Sequence, residues 1–318
     1  MYVNEPLVSV IVPTYNRAGL ICRSITSILE QDYPAVEIIV VDDGSTDRTE
    51  DVISRFGEQV RYVCQDHAGP AAARNHGIHL SHGQFLAFLD SDDTWHHDKL
   101  TRQMNLLLRY NDTVPCCLCN SELKGYRGVD TTSFQVARLN PPQKEGLWKN
   151  VLDVLLDRFV LFNQAVLIRS HVLENMNAFN ESLWVMEDHD LALRLADYGP
   201  WAYITEPLVT WNQGSPGSLY SISQQKPVQL QSANRTIYVD LLKRLRPDDQ
   251  VRCRKAKQLL RKAKVSLWVA CLQEHRFTLA RAAGKILRAA FTFAERLHRR
   301  LTAPVTMVVN DGVEWHYE

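Results

Sequence analysis

The chain has 318 residues, room for one large domain or two ordinary ones, and 45% of them are hydrophobic, enough for a sizeable core. Formal charge sums to zero, but residues 243–300 hold 17 Lys and Arg against 4 Asp and Glu, while residues 1–242 carry a net −10. No uncharged apolar stretch reaches about 18 residues, and Met1 to Glu5 lacks a basic start before an apolar core, so neither a transmembrane helix nor a signal peptide is expected.

Leu7 to Val12 is β-branched and apolar, a buried strand of parallel-sheet type. It ends at Pro13, followed by Thr14, Tyr15 and Asn16, with Asn16 placed to N-cap a helix over 18–31. Val36 to Val41 is a second such strand and ends in Asp42-Asp43-Gly44-Ser45. A helix is expected over 47–56, with Asp47 and Glu50 in capping-box spacing. Val60 to Cys64 reads as a third strand, Gly69-Pro70 opens an Ala-rich helix to Leu80, and Gln84 to Leu89 is a fourth strand. The next expected elements are a helix over 95–110, a strand over 114–119, and an irregular surface loop over 120–146. A helix over 147–159 and a strand over 161–169 follow. Met186-Glu187-Asp188-His189-Asp190 leads into another helix, Trp201 to Trp211 contains a strand, and Gln213 to Ser218 is a loop. From about Ser221 the chain reads as helical and increasingly basic.

Strands alternating with helices about every 25 residues predict βαβ units and a parallel sheet covered on both faces. The strand at Gln84 to Leu89 ends in Asp90, Asp92 and Asp93, three carboxylates within four residues. Such a cluster persists most easily around a hard divalent cation; a solvated acidic turn is the alternative. The polar stretches at 14–16, 42–43 and 90–93 all follow strands, so they converge on the sheet edge where open α/β folds bind ligands. A G-x-G-x-x-G and a G-x-x-x-x-G-K-[ST] are both missing, which excludes the common dinucleotide and P-loop sites. The seven cysteines lack a disulfide framework, which predicts a reducing, cytosolic setting. Cys116 and Cys119 form a C-x-x-C with no second pair at zinc-ribbon spacing.

Five motifs then fall in a familiar order: VSVIVPTYNR from Val8, VVDDGSTD from Val40, GPAAARNHGI from Gly69, FLDSDD from Phe88, and MEDHDLALRL from Met186. With them, residues 8–221 resemble the family 2 glycosyltransferases of GT-A fold. The resemblance implies a Rossmann-like, mostly parallel sheet with helices on both faces, here with a C-terminal helical extension. It implies domains at 1–221 and 222–318. It also implies an inverting transfer from a nucleotide-sugar, most often a UDP-sugar, to a glycan, lipid-linked or other hydroxyl acceptor. Pro13, Thr14, Tyr15 and Asn16 would line the nucleotide site. Asp42 would take the base imide with Asp43 beside it, and Arg74 would approach the diphosphate. Asp90 would face ribose and metal, and Asp92 would ligate Mg²⁺ or Mn²⁺. Asp188 would be the general base, with Asp190 the competing carboxylate. Many relatives place a His where Ser215 stands, so protein ligation of the metal would be thin.

Beyond residue 221 the resemblance stops. Leu279, Ala283, Ile286, Leu287, Ala290, Ala294, Leu297 and Leu301 recur at helical spacing among basic residues. Two readings stand side by side: a peripheral helix on the anionic inner face of a membrane, or a helix packed on the catalytic domain. No nucleic-acid recognition motif accompanies the charge. A nucleotidyltransferase is the rival enzyme reading and a non-catalytic nucleotide-sugar binder the rival from another class. The first usually needs a Gly-rich loop and a Lys after the first strand, and the second has no use for a base.

Overall fold

The two β-branched runs that open the chain are strands buried on both faces. Val8–Thr14 (β1) is buried at every position, and Val36–Asp42 (β2) is buried from Ile38 onward. Between them Ile21–Leu29 (α1) packs its apolar side down. Thr49–Ile53 (α2), Arg61–Cys64 (β3), Pro70–Leu80 (α3) and Phe85–Phe88 (β4) complete the alternation. Strands β3, β2, β1 and β4 are parallel neighbours in that order. This computed structural model describes residues 5–126, 128–158, 160, 163–212, 226–274, 296 and 315–316.

Helix α3 lies directly on this sheet, and Gly77 is what permits it. A Cβ there would come within 2.5 Å of Ile11 Cγ2, closer than packed carbons approach. The close seat of α3 fixes the height of Arg74, one turn earlier.

The second half extends the sheet. Thr94–Trp95 (β5) precedes Lys99–Leu108 (α4), so the helix expected from Trp95 begins only after a short strand. Cys116–Tyr126 (β6), Val129–Thr132 (β7), Ser133–Val136 (α5) and Glu145–Trp148 (β8) fill the stretch expected to be a loop. Its polar residues are held by specific partners. Asn120 Oδ1 accepts from the Ser121 and Phe134 amides and the Ser133 hydroxyl, which lets polar side chains sit buried in a strand. Val151–Leu155 (α6) is shorter than the helix expected over 147–159, because Leu147 and Trp148 belong to β8. Then come Val166–Arg169 (β9), Ser170–Asn175 (α7), Glu187–Leu195 (α8) and Trp201–Asn212 (β10).

Strand β9 runs antiparallel to both β4 and β6, and β10 is parallel to β6. With Trp315–His316 (β11) pairing β8, the sheet order is β11-β8-β10-β6-β9-β4-β1-β2-β3, with β5 on β10 and β7 on β6. The result is the expected α/β fold: a parallel N-terminal part and a mixed second part.

The chain divides into two compact units. One comprises Met1–Ser182, Glu187–Ser215 and Val313–Glu318; the other comprises Leu183–Met186 and Pro216–Gly312. In the second, Pro227–Arg244 (α9) and Gln250–Glu274 (α10) pack on each other. Ala233, Ile237 and Leu241 of α9 and Ala256, Ala263, Val269 and Ala270 of α10 are buried. Among the described residues no helix is long and apolar enough to cross a membrane. The amphipathic stretch expected from Leu279 and the loop at 213–218 lie outside the described residues.

Candidate active site

The ends of β1, β2 and β4 form one rim, as their parallel register requires. Thr14, the last residue of β1, pairs with Asp42, the last of β2. Thr14 is buried, and its hydroxyl has no hydrogen-bond partner among the described residues. Tyr15 is 41% exposed and stacks on His67, ring centroids 4.2 Å apart. Pro13 lies beyond the β4 pairing of β1, where a missing amide hydrogen costs no ladder bond on that side.

Asn16 is not a helix cap. Its φ is 53°, its amide donates to Ser45 Oγ, and its Oδ1 accepts from the Thr46 amide, tying the loop after β1 to the loop after β2. Helix α1 starts only at Ile21 with no side-chain cap. Nor do Asp47 and Glu50 form a capping box. Asp47 instead accepts from the Thr49 amide and hydroxyl and from the Ala18 amide, which places it in the same tie. A non-glycine residue at positive φ persists only where surrounding bonds hold it, and these bonds do so.

Asp42 and Asp43 are both buried and both bonded within the protein. Asp42 Oδ1 accepts from the Ser45 amide and Oδ2 from the Tyr62 hydroxyl at 3.1 Å. Burial, then the Asp42 charge, pushes the Tyr62 phenol well up, so it stays a donor. A base imide reaching Asp42 would share these oxygens. Asp43 does a different job. Its oxygens accept from Gln65 Nε2, the Ala68 amide and the Gly69 amide, each at 2.8 Å, and His67 Nδ1 lies 2.9 Å away. It pins the 65–69 loop, including the His67 ring under Tyr15 and Gly69, whose φ of 97° starts α3.

Arg74, expected near the diphosphate, is held inside the protein. It is 1% exposed, and its guanidinium sits between two acids, Nη1 on Glu187 Oε1 and Nη2 on Asp90 Oδ1, both at 2.7 Å. Its face lies over the Phe179 ring at 5.4 Å. Burial works against the charge, but Asp90 and Glu187 overcome it and push the Arg74 pKa up. Two carboxylates occupy the fork, a buried clamp that a diphosphate would have to share. The clamp joins the end of β4 to the start of α8.

The acidic cluster is sorted by its neighbours. Asp90 keeps about a third of its side chain exposed; Oδ1 takes Arg74 and Oδ2 takes Gln164 Nε2 at 2.9 Å. Asp93 is buried, with Oδ1 on the Asn212 amide and Oδ2 on the same Gln164 nitrogen at 2.6 Å. Burial, then Asp92 and Asp90, pushes the Asp93 pKa well above the carboxylate range. The Asp92 carbonyl accepts from Asn212 Nδ2 and Arg23 Nη2, which sets that turn.

These residues fit a hard divalent ion. The donors are carboxylate oxygens, and an ionised carboxylate offers about four lone-pair sites. Asp92, with the remaining capacity of Asp90, would hold the ion. The set is thin: among the described residues the one trio of closely spaced metal-type donors is His96, His97 and Asp98, on the surface turn before α4. Position 215, where a His would add a ligand, is outside the described residues.

Glu187 and Asp188 open α8 after Met186, whose φ is 65°. Glu187 is buried in the Arg74 clamp. Asp188 is half-buried yet densely surrounded. Its only hydrogen bond among the described residues is from the His189 amide at 2.7 Å. Burial, then Glu187, raises its pKa to about 7. His189 is buried and pushed down to about 4, so it adds no charge. Asp190 is committed elsewhere: Arg194 Nε and Nη2 both reach its Oδ2 at 2.8 Å, and Arg194 goes on to the Met176 and Ala178 carbonyls.

Sequence reasoning missed Gln164, whose side chain bridges Asp90 and Asp93. The signal was an amide just before the apolar run Ala165 to Ile168. It also missed the Asp43-braced loop, which no local pattern announces.

A sheet whose parallel part ends in a polar loop after β1 and acidic loops after β2 and β4, with a carboxylate-bearing helix tied to them, is of GT-A type. The chain belongs to glycosyl transferase family 2, whose family model matches residues 9–169. It is 33% identical over 192 residues to an uncharacterised glycosyltransferase of Rickettsia typhi, covering 59% of this chain and 58% of that one. It is 34% identical over 167 residues to the Escherichia coli UDP-Glc:α-D-GlcNAc-diphosphoundecaprenol β-1,3-glucosyltransferase WfgD, covering 50% and 63%. The chain thus spans about three fifths of the length of these relatives. The solved structure of S. aureus TarS residues 1–349 with UDP-GlcNAc superposes with a TM-score of 0.64 at 19% identity, covering 93% of this chain and 81% of that one, a likeness of fold.

Proposed function

We propose that this protein is an inverting, metal-dependent glycosyltransferase that moves a sugar from a nucleotide-sugar, a UDP-sugar foremost, to an acceptor hydroxyl. The observation that carries the reading is the Arg74 clamp. It ties Asp90 of the acidic turn to Glu187, next to Asp188, so a donor-holding carboxylate and a candidate base are set by one buried guanidinium.

The roles follow from the chemistry. Tyr15, braced from behind by His67, offers an exposed ring for the base to stack on. The unpartnered Thr14 hydroxyl is a donor or acceptor at the same rim. Asp42 and Asp43 shape the base pocket, Asp42 through whatever lone-pair capacity Ser45 and Tyr62 leave. A divalent cation on Asp92 and Asp90 would supply Lewis-acid stabilisation of the leaving diphosphate. Asp188 takes the acceptor proton. Its pKa of about 7 suits a base working near neutrality, ionised yet basic enough to accept. Asp190 cannot share the task while Arg194 holds it.

WfgD acts on a diphosphoundecaprenol-linked acceptor. We extend that to a lipid-linked acceptor here, in cell-surface glycan synthesis at the cytoplasmic face of a membrane. A panel of nucleotide-sugars tests the donor class. Thermal shift should rise with a UDP-sugar only when Mg²⁺ or Mn²⁺ is present, and the same donor should give slow UDP release. No shift and no release with any nucleotide-sugar would refute the reading.

A further inference from the structure

We infer that one face of α10 is a docking surface for an anionic lipid membrane. Arg254, Lys257, Arg261, Lys264 and Trp268 follow one another at alternating steps of three and four residues, which places them on one stripe of the helix. All five are exposed, Trp268 by 46%. The opposite side carries the buried Ala256, Ala263 and Ala270.

The stripe is a field of uncompensated charge. From Gln250 to Gln273 the helix has seven Lys and Arg and neither Asp nor Glu. Among the described residues the four stripe cations make no ion pair. Basic residues nearby are neutralised, Lys243 by Asp240 and Arg252 by Asp249. From Arg254 to Lys264 the charges run about 15 Å along a straight line at the α-helical rise. A face kept only for solubility would mix signs and would not need an exposed indole in line with its cations. Val251, 67% exposed, is a second open apolar residue near the other end. Cations flanked by Trp and an aliphatic residue match the lipid interface, where ammonium and guanidinium groups meet phosphates and an indole sits at headgroup depth. Nucleic acid would satisfy the charge but not the apolar ends. The inference rests on the lipid-linked acceptor proposed above and names the surface that would meet the lipid.

The test is co-sedimentation of the full chain with phosphatidylcholine vesicles and with vesicles containing about a third phosphatidylglycerol. The wild type should pellet only with the anionic vesicles, and salt should release it. Changing Arg254, Lys257, Arg261 and Lys264 together to Gln should weaken partition by about 10²–10³-fold, with the circular dichroism unchanged. Trp268→Phe should remove part of the vesicle-induced fluorescence blue shift. The inference is overturned if the four-Gln variant pellets like wild type, if neutral and anionic vesicles bind alike, or if the stripe instead governs binding to a duplex DNA probe. UDP release with a soluble acceptor, measured on the same proteins, separates this from the enzyme assignment. It should be equal in wild type and the four-Gln variant. Stripe-dependent vesicle binding without any UDP release would refute the transferase and leave the surface standing.

Discussion

Replacing Asp188 with Asn should weaken the enzyme and strengthen the fold. The amide keeps the size of the side chain and its bond from the His189 amide, but it cannot take a proton. Turnover should fall by about 10²–10⁴-fold, the usual worth of a positioned general base. The loss should appear in kcat, with donor affinity little changed, because no donor-holding residue is altered. The wild-type pH profile follows from the same group. With a pKa of about 7, about one tenth of Asp188 is ionised a pH unit lower, so kcat/KM should drop nearly tenfold per unit below neutrality. Stability has the opposite sign. A carboxyl whose folded pKa is raised stabilises the fold fully below its unfolded value, near 4. That contribution is lost as pH rises through about 7. At pH 8 the wild type therefore holds an ionised, crowded Asp188, and Asp188→Asn relieves it. A gain of about 1 kcal/mol would raise Tm by roughly 2–4 °C in a domain of this size, and the gain should vanish at pH 4. Steady-state kinetics from pH 5.5 to 8.5 and melting curves at pH 4 and 8 test both arms. An Asn variant that turns over at wild-type rate, or a flat wild-type profile across neutrality, would refute the assignment.

Four further outcomes follow from the same geometry. Asp190→Asn should lower stability by about 1–3 kcal/mol, because it leaves Arg194 without its charge partner, while turnover of the folded fraction stays within a few-fold; urea melts and kinetics on the same sample check it. Arg74→Met should cost about 3–5 kcal/mol by stranding Glu187 and Asp90, and a loss below about 1 kcal/mol in chemical denaturation would show that the clamp is not a stabilising unit. Asp92→Ala should abolish the Mn²⁺-dependent part of UDP binding in calorimetry with the melting temperature preserved; unchanged metal dependence would remove Asp92 from the ligand set. Gly77→Ala should cost about 1–3 kcal/mol, since its methyl meets Ile11 at 2.5 Å, and a neutral effect would mean that α3 can lift off the sheet freely.

Whatever depends on neighbours along the chain was legible in the sequence. The β-branched runs at 8–12 and 36–41 have no polar face, so they had to be central strands. Pro70 could open a helix but not continue one, and the acidic run after Phe88 had to sit at a strand end. The motif order named the family. The stretch at 120–146 misled because a strand whose polar groups are satisfied by side chains from the next turn looks like a loop until that turn is in place. Asn16 and Asp47 misled for a related reason: each takes a partner from another loop, Asn16 in place of the helix beside it and Asp47 in addition to Thr49. The tertiary structure alone decided which charges pair. Arg74 and Glu187 are 113 positions apart. Asp90 and Gln164 are 74 apart. Nothing local shows that Arg74 is clamped between two acids, or that Arg194 holds Asp190 and not Asp188. A buried charge is settled by whichever counter-charge the packing brings within hydrogen-bond reach, because the interior offers no water as an alternative, and reach is a property of the folded chain.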